Sequence, residues 1–447
     1  MKFVRFVMLI AMVVALFGSV QPAAAAVYTY TSGYQVQNLT SAPANISISY
    51  YSQQTSASAG GVEVTTASDI IPALGSKTYF PVHVSSGFSG SVVISSDQPL
   101  ASIVNIVANS IGNASYVGSS TGAGKVYLPL LMKGNSGITT WYSLQNAGSG
   151  DTTVNVSYSD GTTVGPITIK PSASYVFDQG TETHSKTVFA ATVTSSQPVV
   201  AVVVQEGTRV KTVLATSGFA GGEANAFMPL INANNSGYNT GSQIQNIGTA
   251  ATEVTVSYTP VPGLGTACTE TRTIQPASSE TFTLFAFAGV AQPNLTTTCT
   301  KARFVGAAQI TINSTSQPLV ATVNQTTATI AGAYSSFSPT NATSKVVLPL
   351  IMDRNSLWYT GFTVANVGTG PADVSCTFTN TTYTVSGNLQ AGSVLLDIQK
   401  DKIADKYVGS GTCIATGTNA KIVAIVNEIA PGSGDGLLVY EGLNVLP

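Results

Sequence analysis

The sequence predicts an all-β chain built from four tandem antiparallel sandwiches, and three observations carry that expectation. The first is composition: 447 residues, 44% hydrophobic and only 9% charged, rich in the Val, Ile, Thr and Tyr that suit a pleated, half-buried surface. The second is alternation. Val154, Val156 and Tyr158 are separated by Asn155 and Ser157, and Val254, Val256 and Tyr258 by Thr255 and Ser257, so one face of each strand enters a core and the other meets water. The third is recurrence: the stretches Tyr30–Leu39, Ile138–Ala147, Tyr238–Ile247 and Trp358–Val367 align on Asn38, Asn146, Asn246 and Asn366, which stand 108, 100 and 120 residues apart.

Before the first repeat, Met1 to Ala26 has the parts of a secretory signal peptide: Lys2 and Arg5, an apolar run from Phe6 to Phe17, and a small-residue exit with Ala24 and Ala26 just before the expected cut. The mature chain is expected to begin at Val27, without a transmembrane anchor, and to be secreted and associated with the cell surface. With 18 Lys+Arg against 20 Asp+Glu and no basic cluster, no nucleic-acid partner is expected.

Each repeat then reads as an ordered set of strands. Twelve residues after each anchor Asn comes an aromatic, Tyr50, Tyr158, Tyr258 or Phe378, closing an alternating strand. A turn marked by Pro or Gly follows, as at Pro171 and Pro276, and then a run apolar on both faces that starts at Gln98, Gln197, Gln317 or Lys421. A Leu-Pro or Met-Pro element comes last, at Pro129, Pro229, Pro349 and Pro447. No convincing long helix is expected; the best candidate, the charged stretch from Asp397 to Val408, is short. Units of about 100 residues can own separate cores, and their size and strand content are those of an immunoglobulin-like sandwich. The expected division is 27–124, 125–224, 225–344 and 345–447.

The Asn turns, the V-x-V-x-Y strand and the late Q-P-L-V-A-x-V-N strand together resemble the adhesion-related Ig-like repeats of the CARDB kind found in secreted bacterial surface proteins. The resemblance spans nearly all of the mature chain and brings no catalytic motif. It implies a cell-surface or extracellular role.

Residues that carry chemistry are few. His83 and His184 lie in different units, without a neighbouring Cys or paired carboxylate, and read as surface or loop histidines; no metal site and no cofactor is expected. No nucleophile elbow and no phosphate-binding loop is present, so the chain is not expected to be an enzyme. Asn38, Asn146, Asn246 and Asn366 sit at the inward parity of a strand end, with Gly148, Gly248 and Gly368 two residues on in three units, which marks a structural turn. Trp358 takes a core slot. Trp141 stands at outward parity, where the other units carry Gly33, Gly241 and Gly361, and is the glycan-contact candidate. Asp151, Asp160 and Asp435 fall in Gly-containing turns.

Four cysteines follow the leader, suited to an oxidising compartment. Cys376 occupies the inward slot of Ile48, Val156 and Val256, and is expected to pair with Cys413; Cys268 is expected to pair with Cys299. The Leu-Pro strand can either close the unit before it, the favoured reading because every unit is then complete, or open the unit after it, which leaves the first unit with a bare sheet edge and a partial spare strand at Asn444–Pro447. The leading functional expectation is a non-catalytic structural or adhesive protein with its modules in a row. The alternative is a secreted array that binds polysaccharide. Expected partners are cell-envelope components, polysaccharide, or a second copy joined head to tail.

Overall fold

A computed structural model describes residues 28–108, 112–209, 211–432 and 434–445; the leader expected over Met1–Ala26 lies outside the described residues, as does Pro447. The described chain is all strand and turn, its sheets antiparallel, with no helix among the described residues. The first repeat forms β1 (Tyr30–Asn38), β2 (Ala44–Ser52), β3 (Glu63–Ile71), β4 (Ser76–Tyr79), β5 (Gly90–Ser96), β6 (Leu100–Ala108) and β7 (Gly112–Val117). They make two sheets, ordered β4-β1-β6-β7 and β3-β2-β5. Their inner faces meet in a core of Tyr34, Val36, Ile46, Ile48, Tyr50 and Tyr79, a sandwich-like arrangement.

The second repeat forms β8 (Ala123–Met132), β9 (Ile138–Asn146), β10 (Thr152–Tyr158), β11 (Thr163–Ile169), β12 (Ser174–Asp178), β13 (Val188–Gly207) and β14 (Thr212–Ser217). Here one strand serves both sheets. The first part of β13 pairs with β8 and β10, and the part after Pro198 pairs with β9 and β14. Pro198 lies where the strand changes sheet, so its missing N–H removes no ladder bond that either sheet needs.

The third repeat forms β15 (Ala226–Ala233), β16 (Asn239–Asn246), β17 (Thr252–Pro260), β18 (Cys268–Ile274), β19 (Ser279–Phe282), β20 (Thr296–Thr297), β21 (Phe304–Ile312), β22 (Leu319–Thr326) and β23 (Ala331–Ser335). The fourth forms β24 (Lys345–Asp353), β25 (Tyr359–Asn366), β26 (Ala372–Phe378), β27 (Thr384–Leu389), β28 (Val394–Ile398), β29 (Tyr407–Thr416), β30 (Ile422–Ile429), β31 (Leu437–Glu441) and β32 (Leu443–Val445). Their sheets run β15-β21-β17-β18-β20 with β19-β16-β22-β23, and β27-β26-β29-β24-β32 with β28-β25-β30-β31.

One expectation is corrected. The Leu-Pro strand opens the unit after it: β8 pairs with β13, β15 with β21 and β24 with β29, each with a register shift beside its proline. A bulge there accommodates a residue that cannot donate a bond. The carboxy-terminal copy is no spare strand, because β32 pairs with β24 of its own unit. The helix candidate is the end of β28, a turn, and the start of β29. The buried Asp353 carboxylate sets that turn by accepting the N–H groups of Asp401, Lys402 and Ile403 at 3.0, 3.2 and 2.8 Å.

The units do not stand in a row. β7, β14, β23 and β31, one from each unit, pack against each other in that order, and β31 returns to β7, so the four units close into a ring about a shared axis. A second set of contacts repeats around it. β8 lies against β16 and β22 of the third unit, β15 against β25 and β30 of the fourth, and β24 against β1 and β6 of the first.

Candidate functional site

The anchor asparagines turn the chain in the same way four times. Each is buried, and each Nδ2 donates to the carbonyl four residues on and to a carbonyl at the end of another strand: Ala42 and Ile71, Gly150 and Ile169, Ala250 and Ile274, Gly370 and Leu389. Each Oδ1 accepts the N–H two residues on, from Thr40, Gly148, Gly248 and Gly368. All their polar atoms are committed to the fold.

A further set of buried polar groups stands at the joints between units. On the run apolar on both faces, Gln205 and Gln325 hold equivalent places and are buried. Gln205 exchanges two hydrogen bonds with Asn324 of the next unit, at 2.7 and 3.1 Å, and Gln325 does the same with Asn427, both at 3.4 Å. At the first joint the equivalent residues are Ile106 and Val204, which share an apolar cluster with Ala114, Val213 and Ala215. That joint also holds Glu206, whose carboxylate accepts the Tyr30 hydroxyl at 2.5 Å and the Trp141 indole N–H at 2.7 Å.

Asp435 ties all four units. From the fourth it reaches the axis, where its carboxylate accepts the N–H of Val213 from the second unit at 2.9 Å and of Ala331 from the third at 2.6 Å. Its backbone carbonyl accepts Asn113 Nδ2 from the first at 2.8 Å. It is 1% exposed, and burial pushes its carboxyl up to about 7 against the pull of those two N–H groups. Close packing continues beside it: a Cβ on Gly332 would stand 2.3 Å from Val439 Cγ2 of the fourth unit.

Several of the residues that the sequence singles out stand in surroundings that strand parity does not suggest. His184 is not a surface histidine. Its imidazole is buried, 3.1 Å from Asp160 and 3.7 Å from Glu182, and stacks on Phe189 with ring centroids 4.0 Å apart. Burial lowers its pKa and raises that of Glu182 to about 7, while Tyr158 donates to Glu182 at 2.6 Å. His83 is exposed. Asp160 also accepts the N–H of Thr162 and Ser185, and Asp151 pairs with Lys170 at the surface. Trp141 is half-buried in the first joint with its edge toward Tyr30, and Trp358 packs half-buried against the fourth core.

Cys268 bonds Cys299 and Cys376 bonds Cys413, the latter pair directly opposite on neighbouring strands with both residues 0% exposed. An open cleft of about 850 Å³ lies between the third and fourth units, lined by Glu223, Gln309, Gln317, Pro339 and Thr369 among others. The joint residues have one signal in the sequence: a long polar side chain, Gln205, Gln325 or Glu428, recurs at one place near the end of the run that is apolar on both faces. Compared with known protein families and with curated proteins, the chain matches none.

Proposed function

We propose that the chain is a non-catalytic structural or adhesive protein of a bacterial cell surface, exported by its leader and built from four Ig-like units that the ring holds as one rigid body. The observation that supports this reading is the use made of buried polar groups. Asp435, Gln205, Gln325 and Glu206 all bind one unit to another, which is how a scaffold holds its shape. The two disulfides fit an oxidising exterior. Around the ring, strands such as β10 present Thr153, Asn155 and Ser157 to solvent, a polar face suited to adhesive contact.

Fractionation of producing cells, with immunogold labelling of intact ones, tests the proposal. Signal on the surface or in released material is expected, with the chain shortened to begin at Val27. Retention inside the cell, or a hydrolytic activity of the purified chain, would contradict it.

A further inference from the structure

The second, third and fourth units each place Φ-x-Φ-Pro-Leu-Φ (Φ, an apolar residue) at the same sheet position, beside β13, β21 and β29. Val126, Leu128 and Leu131 of β8, Ala226, Met228 and Ile231 of β15, and Val346, Leu348 and Ile351 of β24 all enter the cores of their units. Register fixes the equivalence: Val126 lies opposite Val193, Ala226 opposite Ile310, and Val346 opposite Cys413. In the first unit Ile94 of β5 holds that place, opposite Ile48, and among the described residues β5 pairs with β2 alone. Burial records the difference. Val193, Ile310 and Cys413 are 0% exposed, whereas Ile94 and Val92 are only half-buried although both pack on the core.

Among the described residues the chain offers no matching strand for the edge. The 108-residue spacing sets residues 15–24 in register with β8, but it brings Gly18, Val20 and Ala23 to the places of Val126, Leu128 and Leu131. That stretch also belongs to the leader expected to be cut after Ala26. The strand nearest the carboxy terminus, β32, is already paired with β24.

We propose that β5 accepts an extended segment of another polypeptide, carrying the Φ-x-Φ-Pro-Leu-Φ pattern, which completes the first unit as β8, β15 and β24 complete the others. The row of unpaired N–H and C=O groups supplies affinity, and the half-open core above Val92 and Ile94 selects the apolar side chains. The surface stands whether the protein is a scaffold or an adhesin.

The test uses the chain from Val27 and a fluorescein-labelled peptide of residues 344–354, whose Lys345, Asp353 and Arg354 keep it soluble. Saturable binding by anisotropy is expected, weaker by about tenfold or more for a scrambled peptide. Amide exchange over residues 90–96 should slow by about tenfold or more on binding, with residues 188–195 unchanged. Ile94→Lys should abolish binding with the circular dichroism spectrum preserved; if that variant unfolds, the exchange footprint on the unaltered chain decides. No saturable binding, or protection falling elsewhere, overturns the proposal. So does a peptide-free monomer in which residues 90–96 exchange as slowly as 188–195, since the chain would then cover its own edge, or a dimer protected there, since the occupant would then be a second copy.

Discussion

Gln205 and Asn324 clasp each other across the joint between the second and third units, Asn324 Nδ2 donating to Gln205 Oε1 and Gln205 Nε2 donating back to Asn324 Oδ1. Since Ile106 and Val204 fill the equivalent places at the first joint, the position tolerates a matched apolar pair but not half of a polar one. Gln205→Ile alone, which leaves the Asn324 amide without its partner, should cost about 1–3 kcal/mol. The double variant Gln205→Ile with Asn324→Val should recover most of that loss in urea unfolding. Equal losses in the single and double variants would show that the clasp is not a coupled unit.

Asp435 should make the ring sensitive to pH. Its carboxyl titrates at about 7 in the fold, raised by burial, and near ~4 in the unfolded chain, so between those values the folded chain holds a proton that the unfolded chain has lost. Its contribution is therefore full below about pH 4, declines as pH rises toward 7 by at most about 1.4 kcal/mol per pH unit, and is constant above. Subtracting the stability of Asp435→Ala from that of the wild type isolates this group from His184 and Glu182. The difference should grow as pH is lowered from 8 to 5, and a flat difference would show that Asp435 titrates normally.

Gly332 is needed for close approach rather than for an unusual backbone. A side chain there would press into Val439 across the joint between the third and fourth units. Gly332→Val should destabilise by about 1–3 kcal/mol, and adding Val439→Ala should relieve part of it. Thermal melts of the two variants measure this, and no relief would show that Val439 is not what the new side chain presses on.

Removing the Cys376–Cys413 bond frees a loop of 37 residues, which chain-entropy arguments value at about 4 kcal/mol. Cys376→Ala with Cys413→Ala should speed amide exchange in β26 and β29 while leaving β10 in the second unit unchanged. Equal acceleration in both places would mean that the ring unfolds as one body.

Most of the strand order could be read because alternation is local: Val154, Val156 and Tyr158 fall on one face whatever surrounds them. The inward place of Cys376 followed from the same parity. Which unit the Leu-Pro strand belongs to is not legible, because Val126, Leu128 and Leu131 would be equally apolar on either side of a boundary, and register alone shows which sheet they join. The joints were hidden for another reason. Asp435 meets Val213 and Ala331, and His184 meets Asp160, only after sheets have formed and packed, and the pattern around each residue reports its own strand rather than its neighbour's. Trp141 is outward by its parity on β9, but the first unit lies outward of it.

Small-angle scattering of the monomeric chain from Val27 tests the central claim, that the four units close into a ring. A compact body of this length has a radius of gyration of about 22 Å, and an open ring of four such units about 28 Å. Four such units in a row, each about 35 Å across, would give about 40 Å. Closure into a ring gives a value below about 32 Å that does not change with salt, because the joints are buried rather than held by surface charge. A value near 40 Å, or a broad distribution of spacings between the first and fourth units, would contradict it.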